Sequence, residues 1–297
     1  MIRLSVWIEI RGENRYVGDI TGQDAGDACF AYAKDYLQDP DSRAISISLP
    51  LEESSFSPSR TRNFFEGLLP EGFTRRCVAQ WLQADQQDYL AILSGLGREC
   101  LGAIQILDQE APPVPAAYTP LSLGKMQELA REGATASADI VTKSHLSLTG
   151  ASGKVGLYYD EANDQWYQPI GSAPSTHIVK QSHVRLQKIV ANEQLCLLTA
   201  RNLGIPVSES FIIKTTSPQA SSAQRLSQSM AEMASDDTLL FAARRYDRTF
   251  ASFSRCLDGL PAPLRLHQED FAQALGISSA DKYEKGHEKA QEGYLYL

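Results

Sequence analysis

Three features in the middle of this sequence have the types and order needed to hold a nucleoside triphosphate. The segment Ser147-Leu-Thr-Gly-Ala-Ser-Gly-Lys154 puts two glycines and a lysine into one turn. Glycine lets backbone N–H groups approach phosphate oxygens closely, and the lysine adds charge. Lys180 follows within an apolar strand pattern, and Glu193 opens the next helical pattern. Glycine turn, strand lysine and helix glutamate, in that order, position ATP phosphates in kinase-type sites. Each also has a plainer reading: a hairpin, an edge lysine facing water, and an acid near a helix start. The turn is not a Walker A loop, because Gly150 and Lys154 stand too close and Val155 replaces the hydroxyl. His177, on the strand of Lys180, reads as a base or, more simply, as a packed structural histidine.

Phosphoryl transfer further requires an Asp base and an Asn or Asp on Mg²⁺ downstream. No asparagine follows Asn202, and the aspartates after Arg245 are Asp247, Asp258, Asp270 and Asp281. Asp258 lies in Cys256-Leu-Asp-Gly-Leu-Pro261, which reads as a turn. Asp270-Phe-Ala has the look of a metal-binding Asp-Phe-Gly, but its surroundings read as a helix start. No catalytic residue and no metal ligand is assigned, and the residues describe half of an active site.

The elements that must position these groups follow from periodicity. Leu4, Val6, Ile8 and Ile10 alternate, Arg11 to Asn14 turn, and Tyr16 to Ile20 return, which predicts a hairpin. Ala44 to Leu51 predicts another strand, with Ile45, Ile47 and Leu49 on one face. Helices are expected over Ser59–Leu68 (capped by Ser59 or Thr61), Phe73–Leu82, and Asp85–Leu93 with Asp85 as N-cap. A short strand follows at Ala103–Leu107. Four prolines between Glu110 and Pro120 place a linker there. A helix over Leu121–Arg131 opens the second unit. Leu146 and Leu148, then Val155, Leu157 and Tyr159, predict strand, turn, strand. Strands are also expected at His177–Lys180, Phe211–Lys214 and Leu239–Arg244, with a helix from Val190 to Gly204 and a long loop over Thr215–Asp237. The fold class is α+β. The units are residues 1–110, the linker 111–120, residues 121–248 and residues 249–297.

Composition narrows the classes. At 297 residues and 43% hydrophobic, the chain can bury a real core. A net charge of −8 argues against direct nucleic-acid binding, which needs a basic face. Cys29, Cys77, Cys100, Cys196 and Cys256 show no paired spacing, so reduced, mostly buried thiols are expected. The start alternates like a strand rather than a signal peptide, and no apolar stretch reaches bilayer length. A cytoplasmic protein with no membrane contact is expected.

The chain resembles the HipA family of serine/threonine kinase toxins from type II toxin–antitoxin modules. The resemblance rests on Ser46-Ile-Ser-Leu-Pro-Leu51, Asn63-Phe-Phe-Glu-Gly-Leu-Leu-Pro-Glu71, Leu96-Gly-Arg-Glu-Cys-Leu-Gly-Ala103, the Ser147–Lys154 turn and Pro174-Ser-Thr-His-Ile-Val-Lys180. It continues through Ala191-Asn-Glu-Gln-Leu-Cys196, Arg245-Tyr-Asp-Arg248, Arg265-Leu-His-Gln-Glu-Asp-Phe271 and Lys282-Tyr-Glu284. It implies a HipA-like N-terminal subdomain, a kinase-like small lobe and the start of a helical large lobe. It further implies that Thr149, Gly150, Ala151, Ser152, Gly153 and Lys154 contact phosphate and that Lys180 binds ATP. It places Arg244, Arg245 and Tyr246 at the hinge beside adenine, and makes Ser147 an autophosphorylation site. Two departures are visible: Ser152 and Gly153 replace a family Gln and its neighbour, and Arg244 stands where Glu is frequent.

The implied cofactors are ATP and Mg²⁺. The implied partners are a HipB-like helix-turn-helix antitoxin, operator DNA only through that antitoxin, and a protein substrate of the translation machinery, in the family an aminoacyl-tRNA synthetase. After Glu284 the resemblance stops, where the family continues into the lobe carrying the catalytic Asp and the metal ligands. The expectation is a truncated kinase, inactive alone. The alternative is a non-catalytic remnant or split-kinase subunit that binds an antitoxin or a complementing chain.

Overall fold

The computed structural model describes residues 2–132, 154–182, 188–215 and 238–282. The expected hairpin forms from β1 (Ile2–Ile10) and β2 (Glu13–Gly22). Ile10 pairs Glu13, leaving Arg11 and Gly12 as a two-residue turn. Both have positive φ, the conformation that matches the right-handed twist of a hairpin. β3 (Cys29–Tyr32) and β4 (Ile104–Asp108) complete a four-stranded antiparallel sheet in the order β3-β2-β1-β4. Around it lie α1 (Lys34–Gln38), α2 (Pro58–Glu66), α3 (Gly72–Trp81) and α4 (Tyr89–Leu96).

A second antiparallel sheet has the order β5-β7-β6-β8-β10-β9. Its strands are β5 (Ala117–Pro120), β6 (Lys154–Asp160), β7 (Gln165–Ile170), β8 (His177–Gln181), β9 (Ser210–Lys214) and β10 (Leu239–Arg244). α5 (Leu123–Glu132) and α6 (Ile189–Asn202) accompany it. Short pairs β11 (Arg248–Thr249) with β14 (Leu264–Arg265), and β12 (Cys256–Leu257) with β13 (Leu260–Pro261), precede α7 (Phe271–Ala274). Buried apolar residues of both sheets, from Leu4 and Ile106 to Val179 and Ala242, form one continuous cluster.

Several local expectations need correction. Ala44–Leu51 is not a strand. Ser46 and Leu49 bridge within a turn, so Ile45 and Leu49 are buried while Ile47 is 78% exposed. Side-chain hydrogen bonds displace strand pairing there: Glu269 accepts from Ile47 N at 3.0 Å, and Ser48 Oγ donates to Gln273 O at 2.7 Å. α2 is capped by Ser57 with Pro58 in its first turn, not by Ser59 or Thr61. Thr61 is buried and accepts from Phe30 N. α4 begins at Tyr89, because Asp88 accepts from both Leu90 N and Ala91 N; Asp85 caps only a turn at Gln87. The linker is shorter than 111–120, since residues 117–120 pair with β7. The cysteines are free, but only Cys100 is fully buried. The strand at Leu146 and Leu148 and the loop over 216–237 lie outside the described residues. No helix among the described residues is long and apolar enough to cross a membrane.

Candidate functional site

Lys154 opens β6 and pairs directly with Lys180 on β8; Phe241 on β10 pairs with Lys180 from the other side. Residues directly opposite in antiparallel strands share a face, so two ammonium groups and a buried ring stand in one row. Lys180 Nζ lies 5.6 Å from the Phe241 ring centroid and is ion-paired to Glu193. α6 packs against β9 and β10, which brings Glu193 to that pairing. Two residues along the strands, about 7 Å away, Gly156, Ile178 and Ala243 form the next row. That row is apolar, and its outer members, Gly156 and Ala243, are small.

Burial, and then the neighbouring Lys180 charge, pull the Lys154 ammonium down to about 8. Glu193, ion-paired to Lys180, sets one carboxylate beside these two cations. A phosphate chain against the lysines and a flat apolar group over Ile178 would match both rows. Ser147, Thr149, Gly150, Ala151, Ser152 and Gly153 lie outside the described residues. Among the described residues no group of three or more His, Cys, Asp or Glu is placed to hold a metal ion. No Mg²⁺ ligand is assigned.

The segment Arg244–Asp247 divides by alternation. Arg244 points outward and pairs with Glu209 at 3.2 Å, and Tyr246 is 70% exposed and bonded to Gln268. Arg245 and Asp247 point inward. All five N–H groups of the Arg245 guanidinium are used: Nε and Nη2 on Asp247, Nη1 on Glu99 and Ser175 Oγ, and Nη2 again on Cys100 O. Its side chain therefore has no donor left for a ligand, and only its backbone borders the site.

Arg245 belongs to a buried cluster of six charges that the sequence reading missed. Glu99, wholly buried, accepts from Arg245 and Arg248 on one oxygen and from Arg265 on the other. Arg265 also pairs with Glu9 at 2.9 Å, and Asp247 accepts from Arg248 at 3.0 Å. Burial alone would raise the carboxylates, but the arginines outweigh it. Glu99 is held below the usual range and Asp247 at about 2. Three carboxylates balance three guanidinium groups, which is the condition for burying charge at all. The available signal was the inward parity of Arg245 and Asp247, together with a lone Glu99 between glycine turns. His177 is structural: its ring is enclosed by Tyr159, Trp166 and Phe211, and Nδ1 meets Thr176 Oγ1 at 2.9 Å. Asp270 is indeed a helix start, capping α7 in a reciprocal bond with Gln273. Asp258 sits in the turn between β12 and β13.

Comparison with known proteins agrees with this architecture. A family model described as the HipA N-terminal domain matches residues 8–107, and one described as the HipA-like C-terminal domain matches residues 146–295. The Sinorhizobium fredii protein named "Putative kinase Y4mE" is 30% identical over 289 residues, covering 94% of this chain and 60% of its own length. "Putative kinase Y4dM" of the same organism is 25% identical, over 94% of this chain and 62% of its own length. A solved HipA from Shewanella oneidensis, in complex with HipB and its operator DNA, superposes with a TM-score of 0.69 at 20% identity. That likeness is one of fold and covers 97% of this chain and 60% of the other. The chain thus spans about three fifths of the length of these relatives. With both family models matched, the chain belongs to the HipA family.

Proposed function

We propose that this chain carries the ATP-holding part of a HipA-type serine/threonine kinase. The observation that carries the reading is the Lys154–Lys180 row with Glu193 paired to Lys180. Glu193 fixes the Lys180 side chain, so its ammonium meets a phosphate oxygen without being ordered first. Lys154, opening β6 directly after the glycine turn, presents a second cation to the same phosphates. Gly156, Ile178 and Ala243 supply the apolar floor for the base, and Arg244–Tyr246 border it through their backbone. Phosphate contact by Thr149–Gly153 and autophosphorylation of Ser147, which the family resemblance implies, belong to the same reading, although these residues lie outside the described ones. Mg²⁺ would neutralise phosphate charge.

In this reading the acceptor is a Ser/Thr hydroxyl on a protein of the translation machinery, such as an aminoacyl-tRNA synthetase. A HipB-like helix-turn-helix antitoxin restrains the kinase and brings it to operator DNA. The kinase names of the two rhizobial relatives and the HipB-bound state of the Shewanella protein support this assignment. The net charge of −8 supports DNA contact through the antitoxin rather than directly.

Calorimetric titration of the 297-residue chain with ATP tests the site. Lys180→Ala and Lys154→Ala should each weaken binding by about 1.5–3 kcal/mol, tenfold or more, the range for a hydrogen bond to a charged group. Wild-type affinity should also fall as pH rises through about 8, where Lys154 loses its proton. Unchanged affinity in both alanine variants would reject the site.

A further inference from the structure

We infer that Glu99 is a positioning residue for the nucleotide site, through which the N-terminal unit sets the spacing of β8 and β10. The inference rests on the nucleotide reading above. Glu99 sits in the turn between α4 and β4 and touches neither lysine. Its carboxylate gathers the ends of the strands that form the apolar floor. Oε1 accepts from Ser175 N at 3.3 Å, just before β8, and from Arg245 Nη1 at 3.2 Å, just after β10. The same oxygen accepts from Arg248 at 2.7 Å, and Oε2 accepts from Arg265 Nε at 2.9 Å.

Arg245 N donates to Thr176 O at 2.9 Å, which extends the β8–β10 ladder one step beyond the Arg244–His177 pair. The Ile178–Ala243 row lies two pairs inside that step. A shift of Arg245 therefore moves the end of the floor, while the Lys154–Lys180 row lies four pairs away along β8. Because every Arg245 donor is engaged, losing one acceptor cannot be absorbed by a rotamer change into water. Glu99→Gln puts an amide N–H₂ among guanidinium N–H groups where an acceptor stood, so the carboxamide cannot satisfy both Arg245 and Arg265.

The test compares ATP with inorganic tripolyphosphate, which share the phosphate chain and differ in the nucleoside. Binding is measured by calorimetry well below the melting temperature of each variant. Glu99→Gln should weaken ATP about tenfold, the size expected from slight misplacement of a binding surface, and leave tripolyphosphate within about twofold. Lys180→Ala should weaken both. A purely structural role for Glu99 would lower the melting temperature and leave ATP affinity unchanged; that result overturns the inference, as does an equal loss for both ligands. If Glu99→Gln does not fold, Ser175→Ala, which removes one Arg245 acceptor, should show the same split in smaller measure, and no split there overturns it. A wild-type chain that binds neither ligand overturns the nucleotide reading and this inference together.

Discussion

Acidification should destabilise this fold through one identifiable side chain, His177. Its ring is 3% exposed, with Tyr159, Trp166 and Phe211 at centroid distances of 5.6, 5.5 and 5.9 Å. Burial first, and then the nearby Arg244 charge, hold its pKa at about 4 against an ordinary 6.5. The unfolded chain therefore takes a proton near pH 6.5 and the folded chain only near pH 4. Above pH 6.5 both states are neutral, and the contribution to stability is whole. Between pH 6.5 and 4 the unfolded state alone gains the proton, and stability falls by about 1.4 kcal/mol per unit, about 3 kcal/mol in all. His267 is also buried and depressed, with Nε2 on Ile45 O, and contributes in the same direction. A paired variant separates the two. Urea unfolding of wild type and His177→Phe at pH 7, 5.5 and 4 should show the wild type losing about 3 kcal/mol more than the variant. Equal losses in the two proteins would refute the reasoning. Carboxylates such as Asp247, held at about 2, act only below this window.

Gly102→Ala should cost about 3 kcal/mol, from left-handed backbone and overpacking together. Gly102 has φ +70, and an added Cβ would stand 2.8 Å from Gln268 N; the urea midpoint reads the loss, and a shift within error would contradict it. The 297-residue chain alone, incubated with Mg²⁺ and ATP, should leave Ser147 unmodified by mass spectrometry. Asp247 is locked in the arginine cluster, Asp258 accepts from Tyr118 N, Asp270 caps α7 and pairs with Lys282, and Asp281 lies in the Ser279–Asp281 turn. Stoichiometric phosphate on Ser147 would mean that one of these, or a residue outside the described ones, is a catalytic carboxylate.

Strand periodicity carried most of the fold. β1, β2 and β6 stand where alternation put them, because a half-buried antiparallel strand tends to alternate, and β8 and β10 stand where short apolar runs were read as strands. Ala44–Leu51 failed because alternation also describes a turn whose serines bond to side chains and backbone more than two hundred residues away. The Asp85 cap failed for a local reason: two aspartates three residues apart compete, and only Asp88 reaches two amides of α4. In the site, the row of Lys154 and Lys180 was legible as types but not as register, which needs the pairing of strands over twenty residues apart. The charge cluster was illegible for the same reason. Glu9, Glu99, Arg245 and Arg265 come from four distant segments, and only the fold shows that the Arg245 side chain faces away from the site.

If Lys154 and Lys180 face the phosphates of one bound nucleotide, a reactive group carried on those phosphates should reach them. An acyl-phosphate derivative of ATP transfers its acyl group to a lysine amine beside the phosphate chain, and peptide mapping then identifies that lysine. Labelling of the 297-residue chain should fall on Lys180 or Lys154 and be suppressed by excess ATP. Labelling confined to surface lysines such as Lys125, or unaffected by ATP, would contradict the account.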